Sequence, residues 1–262
     1  MWEKELNIAG QAARESGKIL NDLFGKVTNI EKKGEIDLVT EADFQSEKAV
    51  MEIINSNLPK DNILTEETGE QGKNSERLWI LDPLDGTTNF THSFPFFAVS
   101  IALQVDKEVV LGVVYNPCTE EYFEARKGEG AFLNKKPIRV SQTKDLRESL
   151  MATGFPYSVI KDPNRVMGLL KTMIVHVQGV RRPGAASIDL CYVASGRLDG
   201  FWEEGLQPWD TAAGSLIVRE AGGILTDYNG KEYSPFQKST IAANPSIHQK
   251  MLDIIRAEAV KY

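Results

Sequence analysis

Trp79-Ile80-Leu81-Asp82-Pro83-Leu84-Asp85-Gly86-Thr87-Thr88-Asn89-Phe90 ends an apolar run in two carboxylates three residues apart, followed by a glycine and two hydroxyls. Trp79, Ile80 and Leu81 read as the end of a buried strand. Pro83 lacks a backbone donor and is expected to stop the ladder, so both acids leave the strand in a stiff bend. Two carboxylates with the Leu84 carbonyl between them supply three oxygens to a hard divalent cation. Gly86 allows close approach of the backbone, and the amides of Gly86, Thr87 and Thr88 can face an anion at the start of a short helix. Asp-Pro and Asp-Gly are also ordinary turn dipeptides. An Asp-Pro-x-Asp-Gly-Thr pattern arises by chance in roughly one chain of this length in 10⁴.

Working outward, the chain has 262 residues, enough for one large domain or two smaller ones that share a core. It contains no apolar run long enough for a membrane helix, and its start lacks the pattern of a signal peptide. Cys118 and Cys191 read as two buried free thiols, which fits the cytoplasm. The net charge of −7 argues against a nucleic-acid surface. It also means that any bound phosphate needs positive charge from elsewhere, and a carboxylate-bound metal would supply it. Three scattered histidines and two cysteines make a zinc site improbable. An oxygen-held metal favours Mg²⁺, with Mn²⁺ as a substitute.

Helical periodicity marks residues 3–24, with Leu6, Ala9, Ala13, Leu20 and Phe24 on one face, and residues 44–58, with Val50, Ile53, Ile54 and Leu58. From Trp79 the period becomes that of strands: Phe97–Val105, Val109–Tyr115, Glu121–Ala125 and Ala131–Leu133 read as an antiparallel meander. Beyond residue 145 strands (149–153, 179–182, 198–202, 224–228, 241–243) alternate with helices (162–175, 185–195, 210–221, 246–260). The expectation is an N-terminal α+β portion, residues 1–144, joined to a C-terminal α/β portion, residues 145–262. The ligand site is then expected at their junction.

Four further segments carry oxygen ligands. Asp43, at the end of Asp37-Leu38-Val39-Thr40-Glu41-Ala42-Asp43, and Asp210, in Trp209-Asp210-Thr211, each stand where a helix begins, so each reads equally as an N-cap or a ligand. Glu66-Glu67 follow the strand-like Asn62-Ile63-Leu64-Thr65, and Glu203-Glu204 end Phe201-Trp202.

Asp37–Asp43, Glu66-Glu67, Trp79–Phe90 and Trp209–Gly223, in that order and spacing, resemble the inositol monophosphatase family of Mg²⁺-dependent phosphatases, in the lithium-sensitive type of phosphatase superfamily. The resemblance covers nearly the whole chain. It implies a layered α-β-α-β-α sandwich of the inositol monophosphatase and fructose-1,6-bisphosphatase type, a homodimer, and two or three Mg²⁺ ions. Glu66, Asp82 and the Leu84 carbonyl match the family's first-metal ligands; Asp82, Asp85 and Asp210 match the second, and a weaker third ion lies near Glu66. Thr87, with Asp43 behind it, matches the pair that orients the attacking water, Glu66 also belonging to that catalytic set. Gly86 and Thr87 match the phosphate-holding amides; Glu203 matches the acid that binds a substrate hydroxyl, beside Asp85, Asp210 and the Ala186 wall. The implied reaction is hydrolysis of a small phosphorylated polyol, myo-inositol 1-phosphate foremost, by direct attack of water and without a phosphoenzyme.

One departure stands out. The family often carries Gly-[Ser/Thr]-Ala-Ala where this chain has Gly184-Ala185-Ala186-Ser187, so a hydroxyl is missing at 185. Arg181-Arg182, just before it, can hold a second anionic group or pair with acids at a subunit interface. Fructose-1,6-bisphosphatase, histidinol-phosphatase and 3′,5′-nucleotide 3′-phosphatase activities are therefore alternatives, as is a non-catalytic regulatory protein that keeps the fold. An aspartyl-phosphate phosphatase of the Asp-x-Asp-x-Thr type does not fit, because its acids stand two apart.

Overall fold

The computed structural model describes residues 1–26, 30–32, 38–72 and 75–260; Asp37, the first residue of the Asp37–Asp43 segment, lies outside them. In chain order the helices are α1 (Glu3–Leu23), α2 (Glu41–Asn57), α3 (Thr87–Thr91), α4 (Pro163–Ile174), α5 (Ala186–Ala194), α6 (Pro208–Glu220) and α7 (His248–Ala259). The first strands are β1 (Ile30–Lys32) and β2 (Leu38–Thr40), which pair with each other. Then come β3 (Asn62–Thr65), β4 (Gly69–Gln71), β5 (Arg77–Asp85), β6 (Ala98–Val105), β7 (Glu108–Asn116), β8 (Glu121–Arg126), β9 (Ala131–Leu133) and β10 (Lys136–Pro137). These form one sheet of order β10-β9-β8-β7-β6-β5-β3-β4, antiparallel except where β3 runs parallel to β5. The remaining strands, β11 (Leu150–Thr153), β12 (Gly179–Arg181), β13 (Gly200–Glu204), β14 (Ile224–Thr226) and β15 (Ser239–Ala243), form a mixed sheet of order β12-β11-β13-β15-β14.

The layers follow from strand alternation. Along β5 and β6, Trp79, Leu81, Val99, Ile101 and Leu103 face α1 and α2 in one apolar core, whereas Ile80, Ala98 and Ala102 face α5 and α6 in another. The second core also takes Phe201 and Ala242 of the smaller sheet, so α5 and α6 lie between the two sheets. Met151, Trp202 and Ile241 point the other way, into a third core with Leu169 and Met173 of α4 and Met251 and Ile255 of α7. The result is the α-β-α-β-α sandwich expected from the sequence. Among the described residues no helix is long and apolar enough to cross a membrane.

Small side chains let α6 lie close to the larger sheet. A Cβ at Gly112 would stand 2.7 Å from the Ala213 carbonyl oxygen and 3.0 Å from its Cα. Backbone cannot swing aside as a side chain can, so Gly112→Ala is expected to cost about 2 kcal/mol, lowering the unfolding midpoint by roughly 6 °C. Gly72→Ala, which meets nothing within 4 Å, is the control and should unfold with the parent in thermal circular dichroism.

Several local expectations need correction. Pro83 does not end the ladder: β5 pairs with β6 at Asp82↔Ser100 and again at Asp85↔Ala98, with a register shift between. A bulge accepts proline because its extra residue needs no ladder donor. Asp43 and Asp210 are not N-caps. Thr40 and Gln207 hold those positions, and each aspartate is the third helical residue of a capping box, with α2 and α6 beginning earlier than the sequence indicates. The strand read as 198–202 lies at Gly200–Glu204, and that read as 224–228 stops at Thr226. Cys191 is buried, but Cys118 is only half-buried; both are free.

Candidate functional site

The bulge in β5 is where the site begins. Leu84 N–H, released from the ladder, donates to Asp82 Oδ1 at 3.0 Å. Ser46 of α2 donates to the Pro83 carbonyl at 2.7 Å and also hydrogen-bonds Ser16 of α1, which fixes the bend to the outer helices. Gly86 follows at φ +97°, in the left-handed region, and a Cβ there would meet the Phe96 carbonyl at 3.0 Å. Both constraints call for glycine.

α3 then starts at Thr87, whose hydroxyl lies 3.1 Å from Asp43 Oδ1 and 3.1 Å from the Leu84 carbonyl. The other oxygen of Asp43, Oδ2, accepts from Thr40 N–H and from the Thr40 hydroxyl, both at 2.7 Å. One carboxylate therefore caps α2 and holds Thr87. Asn89 of α3 donates to the Phe96 and Pro183 carbonyls at 2.7 and 2.9 Å, tying this turn to the segment that leads into α5.

Asp85 is held from that segment. Its Oδ2 accepts from Ser187 N–H at 2.8 Å and from the Ser187 hydroxyl at 2.5 Å, at the N-terminal end of α5, where helix amides favour an anion. Two residues after Ala185, the Ser187 hydroxyl is thus bonded to Asp85 rather than open to the cavity. Asp210 Oδ2 accepts from Gln207 N–H at 2.7 Å. Glu47 of α2 braces the neighbouring β3 end through the Thr65 hydroxyl at 2.7 Å and Glu67 N–H at 3.1 Å, next to Glu66.

Glu66, Asp82, Leu84, Asp85, Gly86, Thr87, Ala186, Glu203 and Asp210 line one cavity of about 370 Å³. Asp43 stands behind Thr87, outside that lining. The two arginines part company: Arg182 lines the cavity, its guanidinium 5.4 Å from the Phe155 ring centre. Arg181 is exposed, off the cavity wall, and donates to the Val180 carbonyl. Neighbours on an extended chain point to opposite sides, so of these two exposed arginines only Arg182 lines the cavity.

The site is strongly electronegative. Burial, then the charges of Glu66, Asp85 and Asp210, pushes the Asp82 carboxyl well above the usual carboxylate range, with Leu84 N–H opposing. Burial and Asp85 do the same to Asp210, which lies within hydrogen-bonding reach of Asp82. Asp85 is pushed to about 6 by burial, against the pull of the Ser187 hydrogen bonds. Glu203 is pushed to about 8 by burial and by Asp210, with Arg182 opposing. Among the described residues, no lysine or arginine forms an ion pair with Asp82, Asp85, Glu203 or Asp210.

Buried carboxylates so placed call for a cation. Among the described residues no three of these acids form a finished cage around a point. They face a shared opening instead, which suits a small hard ion that keeps part of its water shell, as Mg²⁺ does.

Residues 1–260 match the inositol monophosphatase family. The chain belongs to that family. It is 46% identical over 257 residues to an inositol-1-monophosphatase from a Synechocystis species, covering 96% of this chain and 88% of that protein. It is 43% identical over 254 residues to Nus factor SuhB of Haemophilus influenzae, covering 96% and 95%. The crystal structure of extragenic suppressor protein suhB from Bartonella henselae superposes with a TM-score of 0.93 at 42% identity, over 97% of this chain and 99% of that one. Family members of similar closeness are thus named for a phosphatase and for a Nus factor.

Two residues of this inositol monophosphatase-family site escaped the sequence reading. Ser187 supports Asp85 from 102 positions away, and no local pattern announces that pairing. Asp189 lines the cavity too. Its signal was an acid set in the apolar helix Ala186-Ser187-Ile188-Asp189-Leu190-Cys191, where a solvated carboxylate has no place.

Proposed function

We propose that this protein hydrolyses a phosphate monoester with Mg²⁺ as cofactor, and that myo-inositol 1-phosphate is its preferred substrate. The observation that carries the reading is the convergence of Glu66, Asp82, Asp85 and Asp210 on one cavity beside Thr87 and Gly86. Glu66, Asp82, the Leu84 carbonyl, Asp85 and Asp210 are the residues assigned to hold the metal. Mg²⁺ supplies, when bound, positive charge against the phosphate and a lower pKa for water. The chain's own residues do the rest. Thr87 Oγ1, hydrogen-bonded toward Asp43, is placed to take a proton from the attacking water and pass it to Asp43 Oδ1. The amides after the β5 bulge hold the phosphate, and Glu203 accepts from a hydroxyl of the alcohol. Water attacks phosphorus directly, the P–O bond to the alcohol breaks, and no aspartyl phosphate forms.

The test is a comparison of kcat/KM with Mg²⁺ for inositol 1-phosphate, fructose 1,6-bisphosphate, histidinol phosphate and a 3′,5′-nucleotide. Inositol 1-phosphate is expected to rank first, and EDTA is expected to abolish turnover. A higher value for another substrate overturns the substrate, and a trapped phosphoaspartate overturns the mechanism. A second reading, that the chain serves as a Nus factor, is favoured by the name of the Haemophilus influenzae relative. That role would bring a macromolecular partner, so the expectation of no nucleic-acid partner is not carried forward. Absence of turnover on the whole panel at saturating Mg²⁺ would favour it.

A further inference from the structure

Among the described residues, Asp189 is the one cavity carboxylate that the reading above leaves unused. It sits on α5, 1% exposed, and its Oδ1 is sealed from solvent without a hydrogen-bond partner. Burial, then the charges of Glu203 and Asp85, pushes its carboxyl well above the usual range, and Arg182 opposes. A buried acceptor without a donor is rare, and one in the wall of a cavity calls for a ligand that donates.

The surroundings say which kind of donor. Among the described residues that line the cavity, Arg182 is the only cationic side chain. It leans over Phe155, and among the described residues it forms no ion pair with either acid. On its own it would be a fork for a second phosphate. Glu203, on the neighbouring β13, lies against Gly154 so closely that a Cβ there would come within 2.1 Å of its carboxylate. Glu203, Arg182 and Asp189 line the same cavity. Once ionised, two acids in the same wall as one arginine weaken its attraction for a dianion. A hydroxyl, by contrast, donates to a carboxylate and accepts from a guanidinium at once. A polyol satisfies all three groups and, by donating, favours the ionised carboxylates, whereas a second phosphate, acceptor-only, satisfies Arg182 alone.

We infer that Asp189 is a specificity-determining residue: its carboxylate accepts from a hydroxyl of the substrate's alcohol portion and, with Glu203, keeps a second phosphate off Arg182. The inference rests on the phosphatase reading and narrows it to monophosphorylated polyols. The decisive variant is Asp189→Asn, which keeps the shape and removes the charge. With Mg²⁺, its kcat/KM ratio for fructose 1,6-bisphosphate over inositol 1-phosphate is expected to rise at least about tenfold, mainly through the two KM values. Arg182→Gln added to that variant should cancel the gain. Asp189→Ser repeats the comparison should the asparagine variant misfold. Calorimetric binding of the same two compounds, with Ca²⁺ replacing Mg²⁺ to stop turnover, must shift in the same sense. A parent protein that hydrolyses neither compound sinks the phosphatase reading, while the binding ratio still decides Asp189. An unchanged ratio in a folded variant overturns the inference.

Discussion

Asp82→Asn is expected to lower kcat at least about a thousandfold, a loss of roughly 4 kcal/mol of transition-state stabilisation, while making the metal-free protein more stable. Both effects come from one carboxylate. Asp82 is the last paired residue before the β5 bulge, among the like charges of Glu66, Asp85 and Asp210, and burial removes the solvent that would otherwise offset them. Asparagine keeps the oxygen that accepts from Leu84 N–H, so the bulge survives. What is lost is the charge assigned to Mg²⁺. In EDTA, relief of repulsion should raise the unfolding midpoint by a few degrees, on the order of 1 kcal/mol. In saturating Mg²⁺ the order should reverse. A ligand present at a hundred times its dissociation constant stabilises the folded state by about 2.7 kcal/mol, and only the parent gains that. Near-parental turnover would remove Asp82 from the metal site. An unaltered midpoint in EDTA would show that the clustered acids do not strain the fold.

How far the sequence revealed this arrangement depends on the range of each signal. Short-range patterns were legible. The apolar runs around Trp79–Leu81 and Phe97–Val105 placed the strands, and the helical spacing of Leu6, Ala9 and Ala13 placed α1. The carboxylates of the site stand at strand ends and helix starts, which such patterns locate. The finer errors have physical causes. Pro83 reads as a strand terminator because a lost donor usually ends pairing, but the bulge absorbs it and the ladder resumes at Asp85. Asp43 and Asp210 read equally as N-caps or ligands because acids favour helix starts. They are in fact the third residues of capping boxes, and for α6 the cap itself is Gln207, an uncommon one. Arg181 and Arg182 read as a pair, yet one lies in the cavity wall and the other outside it. The Asp85–Ser187 bond joins two halves of the chain, and only tertiary packing reveals it.

Thr87→Val should separate proton handling from binding. The substitution keeps the volume and the branched Cβ at the start of α3 but removes Oγ1, which lies between Asp43 Oδ1 and the Leu84 carbonyl. No carboxylate lining the cavity is removed, so the KM for inositol 1-phosphate should stay near the parental value. The loss should fall on kcat, by about 10²–10⁴, the usual contribution of a positioned acid or base. Thr87→Ser, which restores the hydroxyl, should recover most of it. Asp43→Asn provides a second reading of the same relay. Its oxygen can still accept from Thr40 N–H, but its amide then faces Thr87 and donates where the carboxylate accepted. Thr87 Oγ1 can no longer pass a proton onward, so kcat should fall again while α2 keeps most of its cap. If Thr87→Val retained half or more of the parental kcat, Thr87 would be a structural link between α2 and α3, and the proton would have to leave the attacking water by another group.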